Sequence, residues 1–257
     1  MIITTSGRPG AGSFSNLKIA SEYFSDAQVV DRNKRSISSL QEVYRDDILI
    51  AGDKRFEYFS ADVEKPFFYH PNSASFRIKR MMNGETDPLI QAADLSSDDL
   101  FLDCTAGMAS DALVASWYCN QPATAIEARK EIAFITGQGL KTFTHRSEDI
   151  NRAMRQIKLF HADAFTFLQS CPDNSYDVVY FDPMFTETIE SEGISPLKKL
   201  AYIQDENLSN AINEAKRVSR KKVMLKDHFR SHRFSAFGFT QLIRQSTKQH
   251  YGIINKG

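Results

Sequence analysis

A chain of 257 residues, 42% of them hydrophobic, holds enough apolar material for one sizeable domain with a smaller appendage. Lys plus Arg and Asp plus Glu each number 32, so the formal net charge is zero, which excludes a uniformly basic surface gripping nucleic acid along its whole length. The three cysteines, Cys104, Cys119 and Cys171, have neither CxxC spacing nor an even count, and no stretch reaches the apolar length of a bilayer span. A reduced, soluble, cytoplasmic setting is therefore expected.

In chain order, "MIITTS" reads as a strand, followed by a turn holding Gly7, Pro9, Gly10 and Gly12. A helix through "NLKIASEYFS" and a short strand in "AQVVD" come next. "SISSLQEVY" has helical spacing, and "DILIAGD" and "FEYFSA" read as two strands around a Gly-Asp turn. Together these predict a small α/β domain over residues 1–66. The segment "FFYHPNSASFRIKRMMNGETDPLIQAADL" mixes Arg77, Lys79 and Arg80 with aromatic residues, and is expected to be a connector leading into a helix at the start of a second domain, 67–257.

From Leu100 strands and helices alternate. "LFLDCT", "ATAIEA", "IKLFHAD", "YDVVYFD" and "KKVMLKD" read as strands. "SDALVASWYC", "EIAFITGQGLKTF", "AFTFLQS" and "NLSNAINEAKRVS" read as the helices between them, and "FTQLIRQ" and "YGIINK" add one or two more strands. This alternation predicts a doubly wound, mostly parallel α/β sheet, with any ligand at the carboxyl ends of its strands.

Those strand ends carry a series of carboxylates. Asp103 closes the first, and Thr105, Ala106 and Gly107 form a turn of small residues before a helix opening at Ser110 and Asp111. Small residues there let backbone amides approach a ligand closely. The turn has one glycine where a dinucleotide fold has three, and its acidic helix start suits an amino-bearing or cationic ligand better than a phosphate. Glu127 ends the second strand, 24 residues after Asp103, where an acidic side chain accepts hydrogen bonds from ribose hydroxyls. Asp163 follows the third strand, suited to an adenine amine with Ala164 offering a backbone amide, and Asp182 follows "VVYF". Singly, each has a plainer reading: a small-residue turn at Asp103, a helix-start charge at Glu127, a helix cap at Asp163 and a strand exit at Asp182; one nucleoside-binding edge accounts for all four.

The residues resemble a class I S-adenosylmethionine-dependent methyltransferase, with its Rossmann-like sheet. More narrowly, they resemble the family of bacterial small-subunit ribosomal RNA guanine-N2 methyltransferases. The motifs that carry this are "DCTAGMASDA", "AIEAR", "HADA" and "VVYFDPMF", with "FRIKRMMNGETDPLIQA" upstream and "KKVMLKDHFRSHRF" downstream. The likeness runs from about Phe67 to Phe234. It implies S-adenosylmethionine as cofactor, bound by Asp103, Thr105, Gly107, Ser110, Asp111, Glu127, Ala128, Asp163, Ala164 and Asp182. Ser110 and Asp111 meet the methionine end, Glu127 and Ala128 the ribose, and Asp163 and Ala164 the adenine. It also implies that Asp182, the Pro183 carbonyl and the Phe185 ring hold an amine on a planar base, positioning rather than acid–base chemistry supplying most of the rate. RNA of the small ribosomal subunit is the implied partner. Arg77, Lys79, Arg80, Lys226 and Arg230, with His228 and Arg233, are candidates for its phosphates.

Two departures stand out. Ala109 replaces the second glycine of the family's turn, and "TETIESEGISPLKKLAY" after Phe185 is acidic where the ribosomal enzymes are lysine-rich. His228 and His232 lack an accompanying carboxylate or cysteine pattern, so no metal site is expected, and Cys104 reads as a buried filler. Three other readings stay open: a methyltransferase of a DNA base or small-molecule amine, a nicotinamide-dependent oxidoreductase, and a non-catalytic RNA-binding relative.

Overall fold

The computed structural model describes residues 1–61, 65–183, 205–245 and 247–256, apart from the side chains of residues 205 and 206. It forms two compact units, the first over Met1–His70 and the second from Pro71 onward.

The first unit contains β1 (Ile2–Thr5), α1 (Ala11–Tyr23), β2 (Gln28–Val29), α2 (Ile37–Tyr44), β3 (Ile48–Ala51) and β4 (Phe56–Phe59). Its sheet order is β2-β1-β3-β4, with β1 parallel to both neighbours and β4 antiparallel to β3. Every residue of β1 and β3 is buried, as continuous β-branched and apolar runs in the middle of a sheet require. Ile2, Leu40, Ile48, Ile50 and Phe59 form the core.

Helix α1 begins at Ala11, earlier than the sequence reading placed it, because Asp53 of the β3–β4 turn caps it. Its Oδ1 accepts the N–H of Ser13 at 2.9 Å and of Gly10 at 3.1 Å, strengthening a first turn whose amides lack the usual helical partners; Ser13 shares its N–H with the Gly10 carbonyl at 3.1 Å. The cap brings Gly12 so close that a Cβ there would meet the Asp53 carbonyl oxygen at 2.6 Å and its Cα at 3.1 Å. Gly12→Ala is expected to cost about 1–3 kcal/mol, as overpacking against a backbone that cannot swing aside does. Gly7→Ala, with nothing within 4 Å of its Cβ, is the control; unfolding midpoints in urea compare the two.

The unit ends later than residue 66. The N–H of Phe67 donates to the Tyr58 carbonyl at 2.7 Å and its carbonyl accepts from the Tyr58 N–H at 2.8 Å. This bridge ties the expected boundary residue to β4, so the division falls between His70 and Pro71.

The second unit opens with two helices where a connector and one helix were expected, α3 (Asn72–Met82) and α4 (Pro88–Ala93). Pro88 sits in the first turn of α4, and the Asp87 side chain accepts the Leu89 N–H at 2.9 Å, a proline-led start with an acidic cap. There follow β5 (Phe101–Asp103), α5 (Ser110–Cys119), β6 (Thr124–Glu127), α6 (Lys130–Thr142), α7 (Glu148–Gln156), β7 (Lys158–His161), α8 (Ala164–Ser170) and β8 (Tyr176–Phe181). The chain closes with α9 (Asp205–Val218), β9 (Ser219–His228), α10 (Arg233–Ala236), β10 (Thr240–Leu242) and β11 (Gln249–Asn255).

Seven strands form one sheet in the order β10-β11-β9-β8-β5-β6-β7. Strands β5 to β9 are mutually parallel, and β11 runs against both β9 and β10. This is the doubly wound, mostly parallel sheet expected. The strand order reverses between β5 and β8, the switch point beside which such sheets take their ligands. Leu102, Ile126, Val179, Phe181, Val223 and Leu225 pack with Leu208, Ile212 and Ala215 of α9 in the main core. Among the described residues no helix is long and apolar enough to cross a membrane.

Candidate active site

Register fixes what meets at the switch point. Asp103 pairs with Tyr180 across β5 and β8, and Phe181 pairs with Leu225 across β8 and β9. Asp103, Asp182 and Lys226 therefore lie together at the carboxyl edge. The N–H of Asp182 donates to Thr105 Oγ1 at 2.6 Å, which ties the exit of β8 to the turn after β5. Pro183 is buried directly behind it. Phe185 and the acidic segment after it lie outside the described residues.

The turn after β5 keeps its backbone close. The Asp103 carboxylate accepts the Thr105 N–H at 3.0 Å, and Glu127 Oε2 accepts the Gly107 N–H at 2.9 Å. Glu127 Oε1 takes the Arg129 N–H at 2.8 Å, so one buried carboxylate links the ends of β5 and β6. Gly107 has φ +51°, and Ala109, the cap of α5, also has a left-handed backbone at φ +55°. The alanine thus holds the conformation that glycine adopts freely, a local strain the buried surroundings sustain.

Beneath this turn lies a chain of charges. Lys226 Nζ is 2.7 Å from Asp182 Oδ2 and 3.4 Å from Asp111 Oδ2. The Tyr180 hydroxyl donates to Asp111 Oδ2 at 3.0 Å. Arg77 reaches Asp111 Oδ1 with one guanidinium nitrogen at 2.5 Å and grips Asp87 with the other two, both at 2.8 Å. Tyr251 of β11 stands opposite Lys226 in the register and is buried.

The network sets the protonation states. Burial pushes Asp111 up, but Lys226 and Arg77 overcome it and hold the carboxyl well below its usual range. Burial pushes Asp182 up, Lys226 pulls it back and Asp111 adds to the rise; the carboxyl ends above its ordinary value. Asp103 rises well above normal through burial, then through Asp111, and among the described residues it has no ion-pair partner. Burial likewise raises Glu127. Four carboxyl groups (Asp87, Asp103, Asp111, Asp182) surround two cations, Arg77 and Lys226, and Asp103 has neither of them as an ion-pair partner.

A sequence model of the family described as "Putative SAM-dependent methyltransferase" matches residues 60–234, well over half of the chain. The chain belongs to this family of S-adenosylmethionine-dependent methyltransferases. A protein of Bacillus subtilis named "Uncharacterized protein YpiP" is 41% identical over 98% of both chains. The "Ribosomal RNA small subunit methyltransferase J" of Nitrosococcus oceani is 26% identical over 69% of this chain and 72% of its own. That of Acinetobacter baylyi is 27% identical over 50% and 46%. The crystal structure of the SAM-dependent methyltransferase NGO1261 from Neisseria gonorrhoeae superposes with a TM-score of 0.66 at 13% identity, covering 99% of this chain and 96% of that one.

In this methyltransferase the structure brings together Asp103, Thr105, Gly107, Ser110, Asp111, Glu127 and Asp182 around the ends of β5, β6 and β8. Ala128 is exposed just beyond β6. Asp163 is exposed and caps α8, its Oδ1 accepting the Thr166 N–H at 3.0 Å, with Ala164 opening that helix. Three of the cations suggested for phosphates are elsewhere engaged, and Arg233 is one of them, buried and 3.4 Å from Asp227. Arg77 is committed to Asp87 and Asp111, and Lys226 to Asp111 and Asp182, because the crossovers turn both toward buried carboxylates. Lys79 and Arg230 are exposed, and Arg80 is exposed but paired with Glu85 at 2.7 Å. Tyr180 and Asp87 belong to the site and were missed. Tyr180 reads locally as one more apolar strand residue, and Asp87 as a helix cap, which it also is.

Proposed function

We propose that this methyltransferase acts on an exocyclic amine of a nucleobase, with guanine N2 in small-subunit ribosomal RNA as its acceptor. The observation that carries the reading is Asp182, held at the end of "VVYFDP" by Thr105 and Lys226 with Oδ1 free of hydrogen bonds among the described residues. The ribosomal RNA methyltransferases among the relatives support it, and an acceptor in the ribosome puts the enzyme in the cytoplasm.

The cofactor fits the donor set. Gly107 leaves open space at the turn, the buried Glu127 carboxylate suits ribose hydroxyls, and the buried Asp103 carboxyl, which a bound cation would draw into its charged form, suits a ligand bearing a sulfonium and an ammonium. When bound, S-adenosylmethionine supplies an electrophilic methyl group and leaves as a neutral thioether. Asp182 would accept a hydrogen of the incoming amine and so orient its lone pair, and would take the proton that this nitrogen loses. Its raised pKa makes it a better acceptor than an exposed carboxylate. Pro183 fixes the turn so that this geometry exists before substrate arrives. Asp163 and Ala164 border the adenine, and the unit from Pro71 onward carries the chemistry.

Asp103 yields a prediction with opposite signs for stability and binding. Its folded-state pKa is raised, so the folded chain holds more protons than the unfolded one between the ordinary and the raised value, and stability falls as pH rises through that window. Asp103→Asn, which can still accept the Thr105 N–H, is therefore expected to leave the free protein at least as stable at neutral pH. The same variant is expected to bind S-adenosylmethionine more weakly. In the wild type, affinity should fall as acid protonates Asp103. Thermal melts and cofactor titration across pH check both; a destabilised Asn variant with normal affinity would overturn the assignment.

The acceptor is tested with labelled S-adenosylmethionine, small ribosomal subunits and free RNA from cells lacking this protein, the modified nucleoside being identified after digestion. Label in N2-methylguanosine supports the reading. Cofactor binding with no label in either RNA would overturn it.

A further inference from the structure

Strand β9 leads from Lys226 straight into His228, Phe229 and Arg230. Phe229 is 36% exposed, yet its backbone is held twice. Its N–H donates to the Lys248 carbonyl at 2.8 Å, and its carbonyl accepts Gln241 Nε2 at 2.8 Å. Gln241 Nε2 also meets His250 Nδ1 at 2.9 Å. The Phe229 ring lies 4.6 Å from that of His228 and 5.8 Å from that of His250, and the Arg230 guanidinium is 5.0 Å from its centroid. This is an aromatic face fixed at the surface rather than tucked into the core.

The charge around it is positive. Arg230 and Lys248 are exposed, Arg244 lies over Tyr251 at 5.5 Å, and none of the three is ion-paired among the described residues. Asp227, the carboxylate of this turn, is buried and bound to Ser231 and Arg233. Phe229 is three residues beyond Lys226, hence at most about 11 Å from it along the chain, and Lys226 touches Asp182. A ring with cations beside it at this distance matches the alternating bases and phosphates of a single strand. An acidic polypeptide would use the cations and leave the ring idle.

We propose that Phe229, with Arg230 beside it, is a stacking platform for a base of single-stranded RNA that flanks the base being methylated. This rests on the nucleobase reading above and adds a second point of contact outside the methyl-transfer pocket.

The chain has a single tryptophan, Trp117, so Phe229→Trp in a Trp117→Phe background gives a fluorescent reporter at this position, its fold checked by circular dichroism. Single-stranded RNA oligonucleotides are expected to quench it, and heparin, a polyanion without bases, to bind without quenching. Phe229→Ala should lose roughly 5- to 100-fold in RNA affinity, the effect of removing one stacking ring, with cofactor affinity and salt dependence unchanged. Arg230→Gln should instead reduce the salt slope by about one. If wild type methylates and binds RNA while Phe229→Ala binds it equally well, or if heparin quenches as strongly as RNA, the platform is overturned and the nucleobase reading stands. If wild type neither binds nor methylates RNA, both fall together.

Discussion

Asp182→Asn is expected to lower the rate of methyl transfer by roughly 10²–10³-fold, the range that loss of one preorganised polar contact to a transition state produces. Asparagine keeps the shape and the backbone bond to Thr105, but its amide is neither an anion nor a proton acceptor of useful strength. Lys226 retains Asp111 as a partner, so the site stays assembled. The loss should therefore appear in kcat, with the cofactor dissociation constant changed only a few-fold. A parallel collapse of cofactor affinity with kcat preserved would make Asp182 a cofactor ligand and nothing more.

Arg77→Met is expected to be the most destabilising single change in the second unit, at about 3–5 kcal/mol. Removing one partner of a buried pair leaves its carboxylates uncompensated, and Arg77 serves two of them, Asp87 and Asp111, both buried. The sign of the pH effect is fixed by Asp111. Its folded pKa is depressed in the wild type, so its contribution is present at neutral pH and is lost as pH falls through that depressed value. Without Arg77 that contribution shrinks, so the stability gap between wild type and variant should narrow on acidification. Urea unfolding at several pH values measures this. Arg77→Lys keeps the charge but loses the two-pronged grip on Asp87, and should fall between the two. A variant as stable as wild type at neutral pH would mean that water, and not Arg77, solvates these carboxylates.

The two predictions differ in how much of them a reader of the sequence alone can anticipate. Asp182 is marked locally: a run of strand-forming residues halted by proline puts a carboxylate at a strand exit whatever the rest of the chain does. Asp103 and Glu127 also close runs of strand-forming residues, though no proline halts them, and the alternation of apolar runs with amphipathic ones was enough to place the strands and helices in chain order. Helix α7 escaped although its buried residues, Ile150, Ala153 and Met154, stand at i, i+3 and i+4; the helical period is there, but it is carried by three apolar positions in a short, otherwise polar stretch that resembles a loop. The early start of α1 escaped because its cap, Asp53, is forty residues away from Ser13.

What the sequence determined by itself, then, was the order of strands and helices, the edge on which the carboxylates stand, and the family to which the motifs belong. Each of these is written in neighbouring residues, through strand and turn propensity and through the spacing that faces side chains inward. Only the tertiary structure decided what the charges do. Arg77 and Lys226 look like surface cations in the sequence, yet their partner Asp111 lies 34 and 115 residues away. Crossovers between parallel strands bring such residues together, and once they are buried a cation binds the nearest carboxylate rather than water, because desolvation makes the unpaired state costly. Pairing across that separation leaves no trace in local pattern, so the network beneath the site became visible only when the sheet was assembled.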